Sequence, residues 1–230
     1  MNKIMVANWK MNGDPDFADR FVAEINAANT ENIVVACPPV GLIHRFRDFR
    51  HYVGAQNCFH EKNGAFTGEN SPQLLKGIGC SHVIVGHSER RNIFHETDDV
   101  IRAKWAAAVD AGLIPIVCIG ERIDDRDVWK EILADQLRLF LGDGPMAETI
   151  FAYEPVWSIG AGLTPEPEEI EEILGFLRDL LGNPDRCTLL YGGSVGLKNA
   201  AEILTCRHLD GLLIGGASLR LEEFKEIIQL

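Results

Sequence analysis

The sequence predicts an α/β fold in which eight parallel strands close into a (β/α)8 barrel with outer helices. Eight short, almost wholly apolar segments recur along the 230 residues, as expected for strands that are buried on both faces. Amphipathic segments alternate with them, which indicates parallel strands joined by crossover helices. Eight such units in about 200 to 250 residues favour a closed barrel over an open sheet. No change in composition separates a second domain, so we expect residues 1–230 to form one.

The predicted strands are rich in β-branched and other apolar residues, as in the segment Ile-Val-Val-Ala-Cys that ends at Cys37. Continuous apolar runs of this length are typical of strands in a buried parallel sheet. They lie at 3–9, 33–37, 52–56, 82–86, 114–119, 149–153, 187–191 and 210–214.

Helices are predicted wherever apolar residues recur at helical spacing between these strands. The apolar faces comprise Phe17, Phe21 and Ile25; Trp105 and Val109; Ile132, Leu133, Leu137 and Phe140; and Ile170, Ile173, Leu174, Leu177 and Leu181. A capping residue before proline predicts helix starts at Ser71-Pro72 and Thr164-Pro165. Glycines predict helix ends near Gly112, Gly142 and Gly182.

Composition excludes several classes of function. The formal net charge of −12 and a pI near 5.0 argue against binding to nucleic acid or to an anionic membrane, because both require a basic surface. No run of 18 apolar residues is present, and the first residues are too briefly apolar for a signal peptide. Six widely spaced cysteines are typical of reduced core thiols. We therefore expect a cytoplasmic protein.

Glu154 ends the sixth apolar segment and is followed by Pro155 and a glycine-containing stretch. In a (β/α)8 barrel, function is located on the loops at the carboxyl ends of the strands. A carboxylate at a strand end beside a mobile flap has the fixed position and the protection from water that a base acting on carbon requires. A solvated glutamate before a proline turn is the alternative for such a dipeptide taken alone.

Asn8 and Lys10 follow the first strand and lie two residues apart, so an extended chain places both side chains on one side. In an acidic chain, Lys10 is a natural cation for a phosphate or a developing oxyanion. A solvated surface lysine is the alternative.

His87 follows the fourth strand directly before a predicted helix start. The helix dipole disfavours the imidazolium form there, and a neutral imidazole can donate a hydrogen bond to a substrate carbonyl. The alternative is a histidine satisfied by backbone groups or by Glu89.

Paired glycines follow the seventh and eighth strands, at 192–193 and 215–216. Glycine pairs allow backbone N–H groups to approach a phosphate closely, and these two loops are the usual phosphate site of phosphate-binding barrels. Gly160, in the flap, can add a third donor. The histidines at 44, 51, 60, 82, 95 and 208 show no spacing typical of a metal site.

Six motifs occur in the order seen in triosephosphate isomerases, and the chain resembles a short variant of the bacterial and eukaryotic type from end to end. They are the segments Asn8 to Gly13, Gly64 to Glu69, Gly86 to Arg91, Ala152 to Trp157, Tyr191 to Ser194 and Gly215 to Ser218. The resemblance implies a single-domain (β/α)8 TIM barrel that interconverts dihydroxyacetone phosphate and D-glyceraldehyde 3-phosphate in glycolysis and gluconeogenesis. It implies neither a cofactor nor a metal.

The resemblance also implies roles for individual residues. Glu154 would be the general base, His87 the neutral electrophile, and Asn8 and Lys10 the groups that stabilise the enediolate and the substrate's charge. The residues carried over as phosphate-binding are Gly160, Ser194, Gly215 and Gly216. Those expected to support the site are Glu89, which holds Lys10; Ile159 and Leu213, which keep water from the base; and Tyr191, which contacts the closing lid.

Two further expectations concern loops. Leu163 alone separates Gly162 from Thr164-Pro165, which suggests a shortened second lid hinge. The 57–70 loop is long for a connector, and in the family this loop inserts beside the partner's active site, so we expect a homodimer with Thr67 near the other subunit's site. A flexible surface turn is the alternative.

Two other functions remain open at this stage. An isomerase of a four-carbon ketose or aldose phosphate, such as erythrulose phosphate, would keep Glu154, His87 and Lys10 in an enlarged pocket. A non-catalytic phosphate-binding barrel would be expected to have lost the base or the histidine, and both are present.

Overall fold

Eight parallel strands form a closed barrel in which each strand pairs with the next along the chain and the last pairs with the first. The computed structural model describes residues 2–141, 147–158, 164–182 and 187–230. The strands are β1 Ile4–Asn8, β2 Ile33–Cys37, β3 Tyr52–Ala55, β4 His82–Val85, β5 Ile114–Ile119, β6 Thr149–Tyr153, β7 Cys187–Tyr191 and β8 Gly211–Ile214. The predicted barrel is therefore confirmed, with strand ends within two residues of the prediction.

The strand register aligns the carboxyl ends at one rim. Asn8 pairs with Cys37 across β1 and β2, and Tyr153 pairs with both Ile119 and Tyr191 across its two neighbouring strands. Residues that directly follow different strands therefore meet at the same end of the barrel, although they are far apart in the sequence.

Helices surround the barrel. Within the described ranges the α-helices are α1 Pro15–Ala27, α2 Pro72–Gly77, α3 Ser88–Asn92, α4 Asp98–Asp110, α5 Trp129–Arg138, α6 Pro167–Leu181, α7 Leu197–Ile203 and α8 Leu221–Ile227. Short 3-10 helices span Val40–Phe46, Ile123–Val128 and Gly216–Leu219. The connection after β2 contains only the first of these 3-10 helices, whereas β4 is followed by both α3 and α4.

The predicted helix ends are only partly correct. The Ser71 side chain caps α2 by accepting from the Leu74 amide at 3.2 Å, and Gly182 ends α6 in the left-handed conformation with φ of 62°. Gly112 lies two residues beyond α4. Gly142 lies outside the described residues.

The predicted helix start at Thr164-Pro165 is wrong, because α6 begins at Pro167 with Glu166 at the N-cap. A residue before proline is kept out of the helical region, and Glu166 is accordingly extended, with φ −65° and ψ 150°. The expected shortening of the second hinge concerns Gly162 and Leu163, which lie outside the described residues, so it stays a prediction.

Apolar side chains form two layers on either side of the barrel wall. The inner layer fills the barrel and comprises Val6, Val35, Cys37, Ile84, Ile116, Cys118, Ile150, Ala152, Leu190 and Leu213. The outer layer packs the alternate strand residues against the helices, as where Phe21 of α1 contacts the buried Trp9 with ring centroids 4.9 Å apart. A filled interior makes the barrel a rigid support for the loops at its rim.

Candidate active site

A pocket of about 610 Å³ opens at the carboxyl ends of the strands. Its size is within the range usual for small-molecule sites. The predicted site residues that line it are Asn8, Lys10, His87, Glu154, Ser194, Leu213, Gly215 and Gly216. Residues from β1, β4, β6, β7 and β8 or the loops that follow them thus converge on one cavity.

Glu154 directly follows β6, and its side chain is only 2% exposed. Its Oε2 accepts a hydrogen bond from the Ser88 amide at 3.0 Å. Its Oε1 is 3.2 Å from Nε2 of His87 but receives no well-directed hydrogen bond from the described residues. A buried carboxylate oxygen that faces the pocket with its hydrogen-bonding capacity unused is available to a substrate.

His87 is the N-cap of α3, and the Glu89 amide fixes the tautomer of its ring. Nδ1 accepts a hydrogen bond from the Glu89 amide at 3.2 Å. An imidazole nitrogen that accepts cannot carry the proton, so the proton of the neutral ring is on Nε2. Glu154 is the nearest charged neighbour of this nitrogen, and both residues line the pocket.

Lys10, two residues beyond β1, lines the same pocket. Its Nζ is 2.7 Å from Oε1 of Glu89, and its amide donates to Oδ1 of Asn8 at 3.0 Å. The Nε2 of Gln56 donates to its carbonyl at 2.7 Å. A Cβ at Gly215 would lie 3.3 Å from Cε of Lys10, so the lysine side chain passes directly over the loop after β8. These contacts place the lysine side chain beside Glu89 and over the predicted phosphate loop, while the Asn8 side chain holds the lysine backbone.

The loops after β7 and β8 form the other end of the pocket. Ser194 donates from Oγ to the Ser158 carbonyl at 2.9 Å, which ties the first loop to the segment after Glu154. The Ser218 hydroxyl donates to the Gly215 carbonyl at 2.7 Å and closes the second loop. A Cβ at Gly192 would lie 3.0 Å from Cγ of Glu154, so glycine leaves room for the base.

Leu213 and Tyr191 are both buried, and Leu213 is close to the base. The side chains of Leu213 and Glu154 approach the same glycine, Gly192, at 3.3 and 3.0 Å from its ideal Cβ position. The Tyr191 hydroxyl is buried and has no hydrogen-bond partner among the described residues. Gly160 and Ile159, which are also predicted to belong to the site, lie outside the described residues.

The sequence prediction missed two buried side chains, one beside the base and one that holds the chain on either side of it. Burial is the main cause that raises the pKa of the Cys118 thiol well above its ordinary value, and the negative charge of Glu154 raises it further. The protonated thiol therefore forms part of the wall beside the carboxylate. Cys118 resembles any other residue of an apolar strand, and only its position two residues after Ile116, on the same face of β5, could have suggested that it faces the barrel interior.

Glu121 is the second missed residue, and it is 2% exposed. Its Oε1 accepts hydrogen bonds from the Tyr153 hydroxyl at 3.0 Å and from Nε1 of Trp157 at 2.9 Å. Burial raises the pKa of this carboxyl, and the two hydrogen bonds oppose that shift. Arg126 lies over the Trp157 ring at 4.2 Å. Glu121 thus anchors the segment that follows Glu154, and its position two residues beyond β5 was the available signal.

Thr67 is exposed and does not line the pocket. The loop around it is ordered by the tilted packing of Phe59 against Phe66, with ring centroids 4.6 Å apart, and by a hydrogen bond from the Phe59 amide to the Asn70 carbonyl at 2.9 Å. Within one chain, Thr67 therefore contributes nothing to the pocket.

The described ranges hold no group of three or more His, Cys, Asp or Glu side chains arranged to bind a metal ion. In the same ranges, every helix is too short or too polar to cross a lipid bilayer.

Comparisons with known proteins agree with this geometry. The family model for triosephosphate isomerase matches residues 3–230. The triosephosphate isomerase of Ehrlichia chaffeensis is 40% identical, over 99% of this chain and 96% of the relative. Those of Dictyoglomus thermophilum and Idiomarina loihiensis are 38% and 40% identical, over 99% and 98% of this chain and 98% and 96% of the relatives.

Proposed function

Since the chain belongs to the triosephosphate isomerase family and is an isomerase that interconverts dihydroxyacetone phosphate and D-glyceraldehyde 3-phosphate, we propose that Glu154, His87, Lys10 and Asn8 carry out this reaction. The observation that carries the proposal is the 3.2 Å separation of Oε1 of Glu154 from Nε2 of His87 inside one pocket. A base for carbon and a donor for oxygen then reach the same three-carbon substrate.

Glu154 acts as the general base. It removes a proton from the carbon next to the carbonyl and returns it to the neighbouring carbon, so the two substrates interconvert with no net change in atoms. The hydrogen bond from the Ser88 amide holds the carboxylate, and Leu213 keeps water from it. Glu121 anchors Trp157, and this contact restricts movement of the segment that follows Glu154, which keeps the base in position.

His87 acts on the oxygens. Its Nε2–H donates to the substrate carbonyl and stabilises the negative charge that develops there when the carbon loses its proton. The same nitrogen can then exchange protons between the two neighbouring oxygens. The Glu89 amide, which donates to Nδ1, keeps the ring in the tautomer that this role requires.

Lys10 and Asn8 stabilise the enediolate, while the loops at 192–194 and 215–216, together with Gly160, bind the phosphate through backbone N–H groups. The phosphate needs local capture because the chain carries a net charge of −12. Lys10, which lies over Gly215, supplies positive charge at the point where the phosphate and the reacting carbons meet.

The test is a coupled spectrophotometric assay with D-glyceraldehyde 3-phosphate, repeated with the four-carbon analogue D-erythrose 4-phosphate. We expect turnover of the triose phosphate with a kcat/KM at least about 100-fold higher than for the tetrose phosphate, since a pocket built for three carbons rejects a larger ligand through steric clash. A higher kcat/KM for the tetrose phosphate would overturn the substrate assignment. Absence of turnover with both would overturn the catalytic one.

The chain acts as a homodimer through the 57–70 loop, with Thr67 inserted beside the partner's pocket. Large exposed apolar side chains in this loop and in the segments after β1, β3 and β4 support the dimer, because exposed apolar surface is typical of an interface. They are Met11 at 94% exposure, Phe66, Leu74, Ile78, Ile93 and Phe94.

The proposal also covers the cellular compartment and the domain organisation. The six cysteines are buried and unpaired, which suits the reducing conditions of the cytoplasm. Residues 1–230 form a single domain, because the strands of one closed barrel are drawn from both ends of the chain.

A further inference from the structure

Two carboxylates line the pocket among the described residues, and only Glu154 is explained by the reaction. The other is Glu223 of α8, at the phosphate end. A carboxylate beside a bound phosphate dianion repels it, so its presence there requires a reason.

Glu223 connects the two phosphate loops, which we define as residues 192–196 and 215–217. Its Oε1 accepts from the Leu197 amide at 3.0 Å, directly after the first loop. Its Oε2 accepts from Nε of Arg220. Arg220 in turn donates from Nη1 to the Gly216 carbonyl at 3.3 Å, in the second loop. One carboxylate and one guanidinium thus join both loops.

The charges of the pair also suit an anion site. The hydrogen bond from Arg220 is the main cause that lowers the pKa of Glu223, so the carboxylate stays ionised and its charge is compensated by the guanidinium. The Leu197 amide and the nearby Lys198 act in the same direction. The pair therefore presents no net negative charge to the phosphate.

Gly196 gives independent support for a specific role of Glu223. Its backbone, with φ −151° and ψ 176°, is extended and would suit any residue. A Cβ at this position, however, would lie 3.1 Å from Oε1 of Glu223, closer than side-chain carbons normally approach. Glycine at 196 is therefore explained by the room that the carboxylate needs.

We propose that Glu223, together with Arg220, is a positioning residue that holds the two phosphate loops at the spacing required by the substrate's phosphate. This inference rests on the proposed function, and it extends that function to a residue that touches the loops rather than the reacting atoms. The pair selects for the phosphorylated substrate, because only a phosphate uses the loops that it holds.

The experiment compares Glu223→Gln with the wild-type enzyme on D-glyceraldehyde 3-phosphate and on D-glyceraldehyde, which lacks the phosphate, and measures competitive inhibition by inorganic phosphate. Glutamine keeps an acceptor for the Leu197 amide but loses the charge that binds Arg220. We expect KM for the phosphorylated substrate and the inhibition constant for phosphate each to rise about tenfold, as for loss of one charge-assisted contact. The decrease in kcat/KM should be at least fivefold smaller for glyceraldehyde.

Two other variants keep the test independent of folding. Gly196→Ala should also raise KM, because its methyl group displaces the same carboxylate while no charge is removed. Glu226→Gln changes an exposed glutamate of the same helix and should leave all constants unchanged. An unchanged KM and phosphate inhibition in Glu223→Gln, or equal losses on both substrates, would overturn this inference. Loss of triose phosphate turnover in the wild-type enzyme would instead overturn the proposed function.

Discussion

Lys10 has an unusual backbone for its residue type. Its φ of 54° is in the left-handed region, which side chains with a Cβ rarely adopt. The Gln56 side chain on its carbonyl and the Asn8 side chain on its amide hold it there. Strain of this kind persists only where the surroundings enforce it, and it is concentrated at functional sites. The result is a lysine directed into the pocket.

Replacing this lysine should damage binding and turnover together. In Lys10→Met, Glu89 loses its partner and adds uncompensated negative charge near the substrate's phosphate. We expect kcat/KM to decrease by roughly 100- to 1,000-fold, as for removal of one oxyanion donor. Steady-state kinetics measure this effect.

The matched control is Lys130→Met, which removes the same charge from an exposed position on α5, where Lys130 pairs with Glu172 at 3.4 Å. Its kinetics should equal those of the wild-type enzyme. Equal losses in both variants would show that net charge, rather than the position of Lys10, governs activity.

At the scale of single elements, helix α4 carries a charged side chain on its buried face. The sequence predicts an apolar face through Trp105 and Val109, but the buried residues of the helix are Ile101, Lys104 and Ala108. Nζ of Lys104 is 2.6 Å from Oε1 of Glu96 and 2.9 Å from Oδ1 of Asn57. Periodicity could not reveal this arrangement, because the partners come from two other loops.

Removing the buried charge should destabilise the fold. Lys104→Met leaves Glu96 with Arg90 as its remaining partner and leaves Oδ1 of Asn57 without its lysine donor. We expect the free energy of unfolding to decrease by about 3 kcal/mol, the lower end for breaking a buried pair. Chemical denaturation measures it.

Lys130→Met again serves as control, because exposed pairs contribute less than about 1 kcal/mol. A decrease for Lys104→Met no larger than for this control would contradict the structural importance of the buried pair.

The start of β4 is pH-sensitive. Burial is the main cause that lowers the pKa of His82 from 6.5 to about 4, and the nearby positive charge of Lys76 lowers it further. The imidazole of the unfolded chain binds a proton at a higher pH than that of the folded chain. The stability due to the neutral ring is therefore complete above pH 6.5 and is lost between pH 6.5 and 4. The loss amounts to about 3 kcal/mol at most.

His82→Asn should therefore reduce the difference in unfolding free energy between pH 7 and pH 5, measured by chemical denaturation at both values. Asparagine can keep the contact that Ser81 makes with Nδ1 at 2.7 Å. His44→Asn, at an exposed position, should leave the difference unchanged. An undiminished difference in His82→Asn would show that another group causes the pH dependence.

For the molecule as a whole, the sequence allowed the barrel and most of the site to be predicted, for physical reasons. Strands buried on both faces leave unmistakable apolar runs, and the residues that follow them must meet at one rim. Element ends that depend on competition between neighbouring residues were harder to predict. Pro167 rather than Pro165 sets the start of α6, because the residue before the second proline cannot be helical. Cys118, Glu121 and Glu223 escaped prediction because their roles arise from neighbours distant in sequence.

The proposed dimer predicts a mass in solution of twice the 25.5 kDa of the chain. Phe66→Asp places a charge in the proposed interface and should give a monomer with strongly reduced activity, because Thr67 no longer supports the partner's pocket. Sedimentation equilibrium measures the mass. Ile123→Asp, which alters an exposed apolar residue of a different loop, should remain dimeric. A wild-type mass equal to one chain would contradict the proposal.

The most direct test of the account concerns the base. Glu154→Asp keeps the carboxylate but withdraws it by one methylene group from the carbon on which it acts. With D-glyceraldehyde 3-phosphate we expect kcat to fall by about two to four orders of magnitude, the effect of misplacing a general base. Glu168→Asp, at an exposed position on α6, should match the wild-type enzyme. An unchanged kcat in folded Glu154→Asp would contradict the assignment of Glu154 as the group that moves the proton.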